Sequence, residues 1–365
     1  MAGKQDIFRG CLLGLAVGDA MGYTVDSKTL GEIRADYGPN GLLGYDLVNG
    51  YADVTSYTQI AAFTANGMLL GLTRGRMQGK MAPLVRYIGL AIREWSRSQR
   101  YCQPERNYCW LSGVPELKRR CCMDIRMLDV LAKDALGSME EPALRSNYPG
   151  ALTEAVPIAL LSGELKMEQQ ELNHLGAEAV ALTHGHPEAF LSGAVLTHAL
   201  CALLRDPRQE TLPLLRDTVD AIQMLFGREY PQTTHIWELL QMALTLAASD
   251  SVTPCEAMER LGCRTAAEVL AGALYACVTC GGDFDTAMIT AVNHSGRSAA
   301  VGAVTGAVMG ASLGASALPD FYLESLEPTA VLTELADDLS QGCPMDMRSS
   351  LFDDEWDRKY LSGGQ

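Results

Sequence analysis

The sequence has few of the signals that mark β-strands, linkers or repeats. Its 365 residues contain no convincing run of β-branched residues with a period of two, and no low-complexity tract. No stretch rich in Pro, Gly or Ser divides the chain, and no repeat of solenoid length appears. These absences argue against a β-rich or multidomain protein, and they predict one domain over residues 1–365.

Positive charge is also scarce. The 29 Lys and Arg residues stand against 44 Asp and Glu residues, which gives a net charge of −15 and a pI near 4.8. A surface of this sign does not favour a nucleic-acid backbone or an anionic membrane as a partner. The eleven cysteines are an odd number without small-scaffold spacing, which favours free thiols and a reducing compartment. We therefore expect an acidic cytoplasmic protein.

Two apolar segments, one near each end of the chain, carry glycine at every fourth position: Gly10, Gly14, Gly18 and Gly22, and Gly302, Gly306, Gly310 and Gly314. On a helix, this spacing places the glycines on one face, where another backbone can approach closely. The second segment is uncharged over residues 298–318, but its Ala, Gly and Ser residues transfer weakly into hydrocarbon. We predict two core helices that pack together, and no membrane span.

Between these two segments, apolar residues recur at helical spacing in most of the chain. Residues 60–72, 81–98 and 187–204 are clear examples. Residues 23–58 have the composition of a long surface loop, and the charged tail from about residue 353 is expected to be mobile. The pattern predicts an all-α fold.

Two polar stretches could bind a metal ion. Residues 183–187 contain two histidines separated by one glycine, and residues 281–286 contain Asp283 and Asp285, which would suit Mg²⁺. Both also have a structural interpretation. Histidines in a turn are commonly structural, and either aspartate could cap the helix that follows.

In combination, the ordered motifs resemble the ADP-ribosylglycohydrolase family. The segments that carry the resemblance are Gly-Cys-Leu-Leu-Gly-Leu-Ala-Val-Gly-Asp-Ala-Met-Gly at 10–22, Thr-Gln at 58–59, Gly-Ser-Met-Glu-Glu-Pro at 137–142, Val-Pro-Ile-Ala at 156–159, Thr-His-Gly-His-Pro at 183–187 and Ala-Val-Asn-His-Ser-Gly at 291–296. The resemblance implies a single-domain orthogonal helical bundle with a dinuclear Mg²⁺ centre. It also implies cleavage of N- or O-glycosidic bonds of ADP-ribose.

Both metal motifs depart from the family pattern. The motif Thr-Asp-Asp-Thr-Gln reads Thr-Ser-Tyr-Thr-Gln at 55–59, and Gly-Asp-x-Asp-Ser/Thr reads Gly-Arg-Ser-Ala-Ala at 296–300. A Mg²⁺ ion needs about six oxygen ligands, several of them anionic. No metal is therefore expected, and the degenerate positions are Thr55, Ser56, Tyr57, Arg297, Ala299 and Ala300.

Few candidate ligands remain near those positions. Asp19 and Asp26 keep their carboxylates, and they are also the candidate catalytic residues. We predict that Arg297 replaces the lost cation by pairing with Asp19 or Asp26. Asp283 and Asp285 lie upstream of the matching motif, so we interpret them as unrelated to it.

The phosphate loop of the family is altered as well. Its pattern Gly-x-Gly-Gly-x-Met-Arg corresponds to Tyr-Pro-Gly-Ala-Leu-Thr-Glu at 148–154. Pro149 removes an amide donor, and Glu154 introduces an anion where an arginine is expected, so ADP-ribose should bind weakly at best. The residues expected around the ligand cleft are Tyr57, Gly150, Glu154, His184, Gly185, His294, Ser295 and Arg297.

Three functions are consistent with these departures. The first is a binding or regulatory protein that has lost the metal and the hydrolase activity, with an unknown protein or small molecule as its partner. The second is an active Mg²⁺-dependent (ADP-ribosyl)hydrolase with a rearranged site that uses Asp283, Asp285, His184 or Asp19. The third is a metal-free activity in the old cleft, with Asp26, Tyr57 and His294 as its candidates.

Overall fold

The structure, a computed structural model, describes residues 2–47, 49–100, 107–133, 136–249, 252–347 and 351–364. Within these ranges the chain forms eighteen α-helices and no β-strand, so the predicted all-α fold is confirmed. The helices are α1 (Lys4–Tyr23), α2 (Leu30–Tyr37), α3 (Ser56–Gln78), α4 (Leu84–Gln99), α5 (Ile125–Ala132), α6 (Ala155–Leu160), α7 (Ser162–Leu165), α8 (Gln169–Ala181), α9 (Pro187–Arg205), α10 (Thr211–Phe226), α11 (Thr234–Ala247), α12 (Pro254–Leu261), α13 (Ala266–Thr279), α14 (Phe284–Val292), α15 (Ser298–Leu313), α16 (Asp320–Ser325), α17 (Thr329–Gln341) and α18 (Asp354–Tyr360).

The two glycine-stepped segments form α1 and α15, which pack antiparallel with their backbones in contact. A Cβ atom on Gly18 would lie 1.9 Å from the carbonyl oxygen of Gly302, and a Cβ on Gly306 would lie 1.9 Å from that of Gly14. No side chain fits at these distances. The predicted packing of these two helices in the core is confirmed.

This helix pair sets the position of the candidate site. Because α1 and α15 are antiparallel, the C-terminal end of α1 lies beside the N-terminal end of α15, and Gly22 packs on the carbonyl of Ser298. The N-terminus of α3 also meets α1, through hydrogen bonds between Thr55 and Asp19. Three buried helix ends therefore converge.

One helix of the described ranges, α9, is long and apolar enough to cross a membrane. Within its most apolar stretch, 72% of the residues are buried inside the protein. Helix α15 is buried from Ser298 to Ala311 as well. Both helices have the burial of core helices.

Two expectations drawn from the sequence need correction. Residues 23–58 contain the short helix α2, which begins with a reciprocal capping box between Thr29 and Glu32. The tail from about residue 353, expected to be mobile, contains α18. Trp356 is buried and donates to the Thr73 hydroxyl at 2.9 Å, and the Tyr360 hydroxyl donates to Asp338 at 2.6 Å. The aromatic side chains attach this segment to the domain.

Candidate functional site

Asp19 lies near the C-terminal end of α1 and faces the start of α3. Its buried carboxylate accepts hydrogen bonds from the amide and hydroxyl of Thr55 at 2.8 and 2.6 Å, and from the amide and hydroxyl of Thr58 at 3.1 and 2.6 Å. Burial raises the pKa of Asp19 to about 6, although these hydrogen bonds oppose the rise. Asp19 thus fixes the start of α3, and both of its oxygen atoms are occupied.

Arg297 precedes α15 and forms an ion pair with Asp26. Its Nη1 atom lies 3.5 Å from Asp26 Oδ2, and the amide of Ala299 donates to Asp26 Oδ1 at 3.1 Å. The guanidinium also packs over the ring of Tyr148, 5.0 Å from the ring centre. Burial raises the pKa of Asp26, while the Ala299 hydrogen bond and the charge of Arg297 oppose this. The predicted pairing of Arg297 with a residual aspartate is confirmed, and the partner is Asp26.

The other degenerate positions of the metal motifs are occupied by structural contacts. The Ser56 hydroxyl accepts a hydrogen bond from the amide of Met123 at 3.1 Å. Ala299 and Ala300 are buried in the first turn of α15, and their methyl groups offer no oxygen ligand. In the described part of the chain, no cluster of three or more His, Cys, Asp or Glu residues could hold a metal ion.

A cavity of about 390 Å³ opens beside α2 and the loop after it, and a second one of about 330 Å³ lies directly at Arg297. The second cavity is lined by Ser27, Thr29, Arg264, Ser295, Gly296 and Arg297. Of the residues expected around a ligand cleft, it therefore contains Ser295 and Arg297. Arg264 donates to the carbonyl of Ser295 at 3.3 Å, which brings a second guanidinium to the same opening.

Tyr57 and His294 are buried, although both were expected to face a ligand. Burial raises the pKa of Tyr57 well above its usual value, and its hydroxyl lies near that of Tyr148 without a well-formed hydrogen bond. The His294 Nε2 atom hydrogen-bonds the carbonyl of Ala291 at 2.9 Å, and the amide of Gly296 donates to Nδ1 at 3.0 Å. Burial lowers the pKa of His294 to about 4, so this ring is neutral at pH 7. Its two hydrogen bonds hold the 291–296 loop in place.

His184 belongs to a buried polar group that supports the 148–154 segment. Its Nε2 atom lies 3.3 Å from Asp124 and its Nδ1 atom lies 2.9 Å from the Thr183 hydroxyl. A Cβ on Gly150 would come within 2.9 Å of the His184 ring, so glycine is needed there. Burial alone would raise the pKa of Asp124, but hydrogen bonds from His184 and Arg126 lower it to about 2.

Gly185 and Glu154 were also expected in the ligand cleft, but both are buried. Gly185 is buried against Pro142, where a Cβ would come within 2.3 Å. Glu154 is fully buried, and neither of its carboxyl oxygens makes a hydrogen bond. Burial raises the pKa of Glu154 well above its usual value. The sequence predicted an anion at the ligand cleft, whereas Glu154 lies in the core, where burial favours the neutral form of its carboxyl.

Asp283 and Asp285 lie at the opposite end of α14 from the Asn293 loop. Asp283 Oδ1 accepts the amide hydrogen of Thr286 at 2.7 Å, which is an N-cap, and the Tyr322 hydroxyl donates to Asp285 at 2.6 Å. At 1.5 Å per residue, the length of α14 separates these carboxylates from the Arg297 loop by roughly 12 Å. The interpretation of Asp283 as a helix cap is confirmed.

The Asp26–Arg297 contact gives a measurable prediction. In a double-mutant cycle with Asp26→Asn and Arg297→Ala, we expect a coupling of about 1 kcal/mol at neutral pH, because one partner is buried and the other is about one-third exposed. Urea unfolding of the four proteins measures it. The coupling should shrink at acidic pH as Asp26 becomes protonated. Additive effects at neutral pH would mean that Asp26 and Arg297 lie close together but do not stabilise each other.

Comparisons with known proteins agree with this arrangement of helices. The sequence profile of the ADP-ribosylglycohydrolase family matches residues 1–348. Among curated proteins, no sequence matches the chain significantly. A solved structure described as "ADP-ribosylglycohydrolase-related protein complex" is similar over 93% of this chain and 99% of that chain, with a TM-score of 0.57 and 23% sequence identity. At that identity the likeness concerns the fold. Because the family profile spans nearly the whole chain, the protein belongs to the ADP-ribosylglycohydrolase family.

Proposed function

We propose that this protein keeps the family fold without the dinuclear Mg²⁺ centre and acts in the cytoplasm as a binding or regulatory protein. The observation that carries the proposal is the hydrogen bonding of the two remaining carboxylates. Every oxygen of Asp19 and Asp26 already accepts a hydrogen bond from the protein. The Arg297 guanidinium lies where a cation would otherwise balance Asp26.

These residues do not fit a dinuclear Mg²⁺ centre. Mg²⁺ requires near-octahedral oxygen coordination at about 2.0–2.1 Å and is usually held by at least one free carboxylate. Freeing Asp19 would break its hydrogen bonds to Thr55 and Thr58, and freeing Asp26 would leave Arg297 without its carboxylate partner. The positive charge of Arg297 would also repel an incoming metal ion. We derive no catalytic step through a metal at this position.

The cavity beside Arg297 is the part of the old site that could still hold a ligand. Its guanidinium groups, from Arg264 and Arg297, and its hydroxyls from Ser27, Thr29 and Ser295 suit an anionic or hydroxyl-rich molecule. The neighbouring carboxylates of Asp26 and Glu259 reduce its net positive charge. ADP-ribose is therefore expected to bind weakly, and a partner protein could use the same residues.

The proposal is tested by calorimetric titration with Mg²⁺ and ADP-ribose, together with an assay for hydrolysis of ADP-ribosyl-arginine. We expect no Mg²⁺ binding and no turnover that responds to Mg²⁺ or to its removal by chelation. The Asp19→Asn and Asp26→Asn variants should match the wild-type protein in both measurements, because neither carboxylate is a metal ligand.

The outcome that contradicts the proposal is Mg²⁺-dependent turnover that Asp19→Asn or Asp26→Asn abolishes. An Asp285→Asn variant addresses the alternative of a rearranged hydrolase site. If that variant alone lost turnover, the metal would lie at the other end of α14. Thermal melting of each variant confirms that the protein remains folded.

A further inference from the structure

Another concave surface, the α3–α4 cleft, is lined by basic side chains. The cleft has a volume of about 690 Å³, and its lining includes Arg74 from α3 and Arg86, Arg93 and Arg97 from α4, with Glu94 as the one carboxylate among the described lining residues. Four arginines in one cavity are unusual for a chain whose net charge is −15. The feature was not predicted from the sequence, because the arginines are spread over residues 74–97 and come together only when α3 packs against α4.

The helical period explains how α4 presents these groups. Arg86, Arg93 and Arg97 lie at positions i, i+7 and i+11, which fall within about 40° of one another around a helix axis. The opposite face of α4, which includes Ile88 and Trp95, is buried in the core. One side of α4 therefore anchors the helix and the other supplies guanidinium groups.

The positive charge of the cleft is argued from three of its four arginines. Within the described ranges, no ion pair involves Arg74, Arg86 or Arg97. Arg86 and Arg97 are exposed, and Arg74 is partly buried between elements of the wall. These three guanidinium groups lie on two facing helices and together form a positive region.

The charge of Glu94 interacts with that of Arg97, but the carboxylate oxygens of Glu94 are used by the 108–112 segment. The amide of Tyr108 donates to Oε2 at 2.7 Å, and the amide of Cys109 at 3.3 Å and the hydroxyl of Ser112 donate to Oε1. Glu94 is buried, and burial raises its pKa. Its role is to hold the 108–112 segment as one wall of the cleft.

The aromatic residues of the wall fix the position of one arginine. The Arg74 guanidinium lies 5.8 Å from the ring centres of both Tyr87 and Tyr108. Contacts of this kind restrict an arginine side chain while leaving its N–H groups available to an anion. A positioned guanidinium loses less conformational entropy when it binds than a free one does.

The cleft is separate from the site around Arg297. Arg74 lies near the C-terminal end of α3, whereas Thr58 lies in its first turn. The residues between them place the two positions about 25 Å apart along the helix. Occupation of the cleft would therefore not require any group of the old metal site.

We propose that the α3–α4 cleft binds a small molecule that carries a chain of phosphoryl groups, and that Arg74, Arg86 and Arg97 are its main contacts. The volume lies within the range of about 300–1,000 Å³ that is usual for small-molecule sites. Guanidinium groups bind phosphate oxygens through paired N–H donors, and several of them around one cavity match a ligand with several anionic centres. The group that the cleft would recognise is a triphosphate, which can be inorganic or attached to a nucleoside.

Calorimetric titration of the full chain with inorganic tripolyphosphate and with ATP, in metal-free buffer, tests this assignment. We expect one binding site whose affinity falls as the salt concentration rises. The Arg86→Gln/Arg97→Gln variant should lose at least about tenfold in affinity, because two charged hydrogen-bonding groups are removed. ATP that binds more tightly than tripolyphosphate identifies a nucleotide site, and equal affinities identify a site for the phosphate chain alone.

The matched control is Arg216→Gln/Arg228→Gln, which makes the same change in net charge at exposed positions in and just after α10. This control should bind tripolyphosphate as tightly as the wild-type protein does. Equal losses in the two double variants would overturn the proposal, because they would indicate a general electrostatic effect. Absence of tripolyphosphate binding, or preference for an acidic glutamate peptide over it, would also overturn it. Thermal melting shows whether each variant is folded.

Discussion

Replacement of Gly306 by alanine is expected to destabilise the protein by about 3 kcal/mol or more, which is a large part of the usual free energy of unfolding of about 5–15 kcal/mol. The added Cβ would lie 1.9 Å from the carbonyl oxygen of Gly14 and 2.5 Å from its carbonyl carbon. Both atoms belong to the backbone of a buried helix, so no rotation of a side chain can relieve the contact. Urea unfolding and the yield of soluble protein measure the effect.

The matched control for this substitution is Gly163→Ala in α7. Gly163 is exposed, and a Cβ added there would have no atom within 4 Å. Since alanine has the higher helix propensity, this variant should be as stable as the wild-type protein or slightly more stable. A stable Gly306→Ala protein would show that α1 and α15 can separate without loss of the fold, which contradicts their direct backbone contact.

Replacement of Glu154 by glutamine is expected to stabilise the protein at neutral pH and to leave its stability unchanged near pH 4. Burial raises the folded-state pKa of Glu154 well above its ordinary value of 4.5. Below pH 4.5, the carboxyl is mostly protonated in both the folded and the unfolded states. As the pH rises above it, the unfolded chain ionises and the folded chain does not, so the wild-type protein becomes less stable.

The difference between the two proteins should therefore grow by up to about 1.4 kcal/mol for each pH unit above this threshold, until the buried carboxyl itself ionises. Urea unfolding at several pH values between 4 and 8 measures this difference. Glu238→Gln, an exposed change on α11, is the control and should show no such trend. Parallel stability profiles for wild type and Glu154→Gln would mean that Glu154 has a charged or polar partner in solution.

The sequence predicted the core pair of helices because glycine spacing encodes a helix face directly. The eight glycines needed no tertiary information to be assigned to a contact between backbones. The family resemblance then placed Asp19, Asp26 and Arg297 near one another. It could not decide which aspartate pairs with Arg297, because that choice depends on the turn between Gly22 and Ser27, which directs Asp26 toward α15.

The sequence could not predict that several of the expected cleft residues are buried. Correspondence with a motif position says that Glu154 lies in the loop at 148–154, but not that the loop is packed among α3, α9 and α13. His294 has the appearance of a functional residue in the motif, yet both its ring nitrogens are used within its own loop. Arg264 and Asp124 were missed, since each reaches the site from a distant part of the chain.

The antiparallel pairing of α1 with α15 also determines when the domain can fold. The two glycine faces are about 280 residues apart in sequence, so their contact closes a very long loop and has a high contact order. During synthesis, α1 is made long before α15, and its apolar, glycine-lined face stays uncovered until α15 has been made. The other helices can form local pairs earlier, but the central backbone contact cannot form before that point. We expect a chain that is truncated before Ser298 to expose α1 and to aggregate.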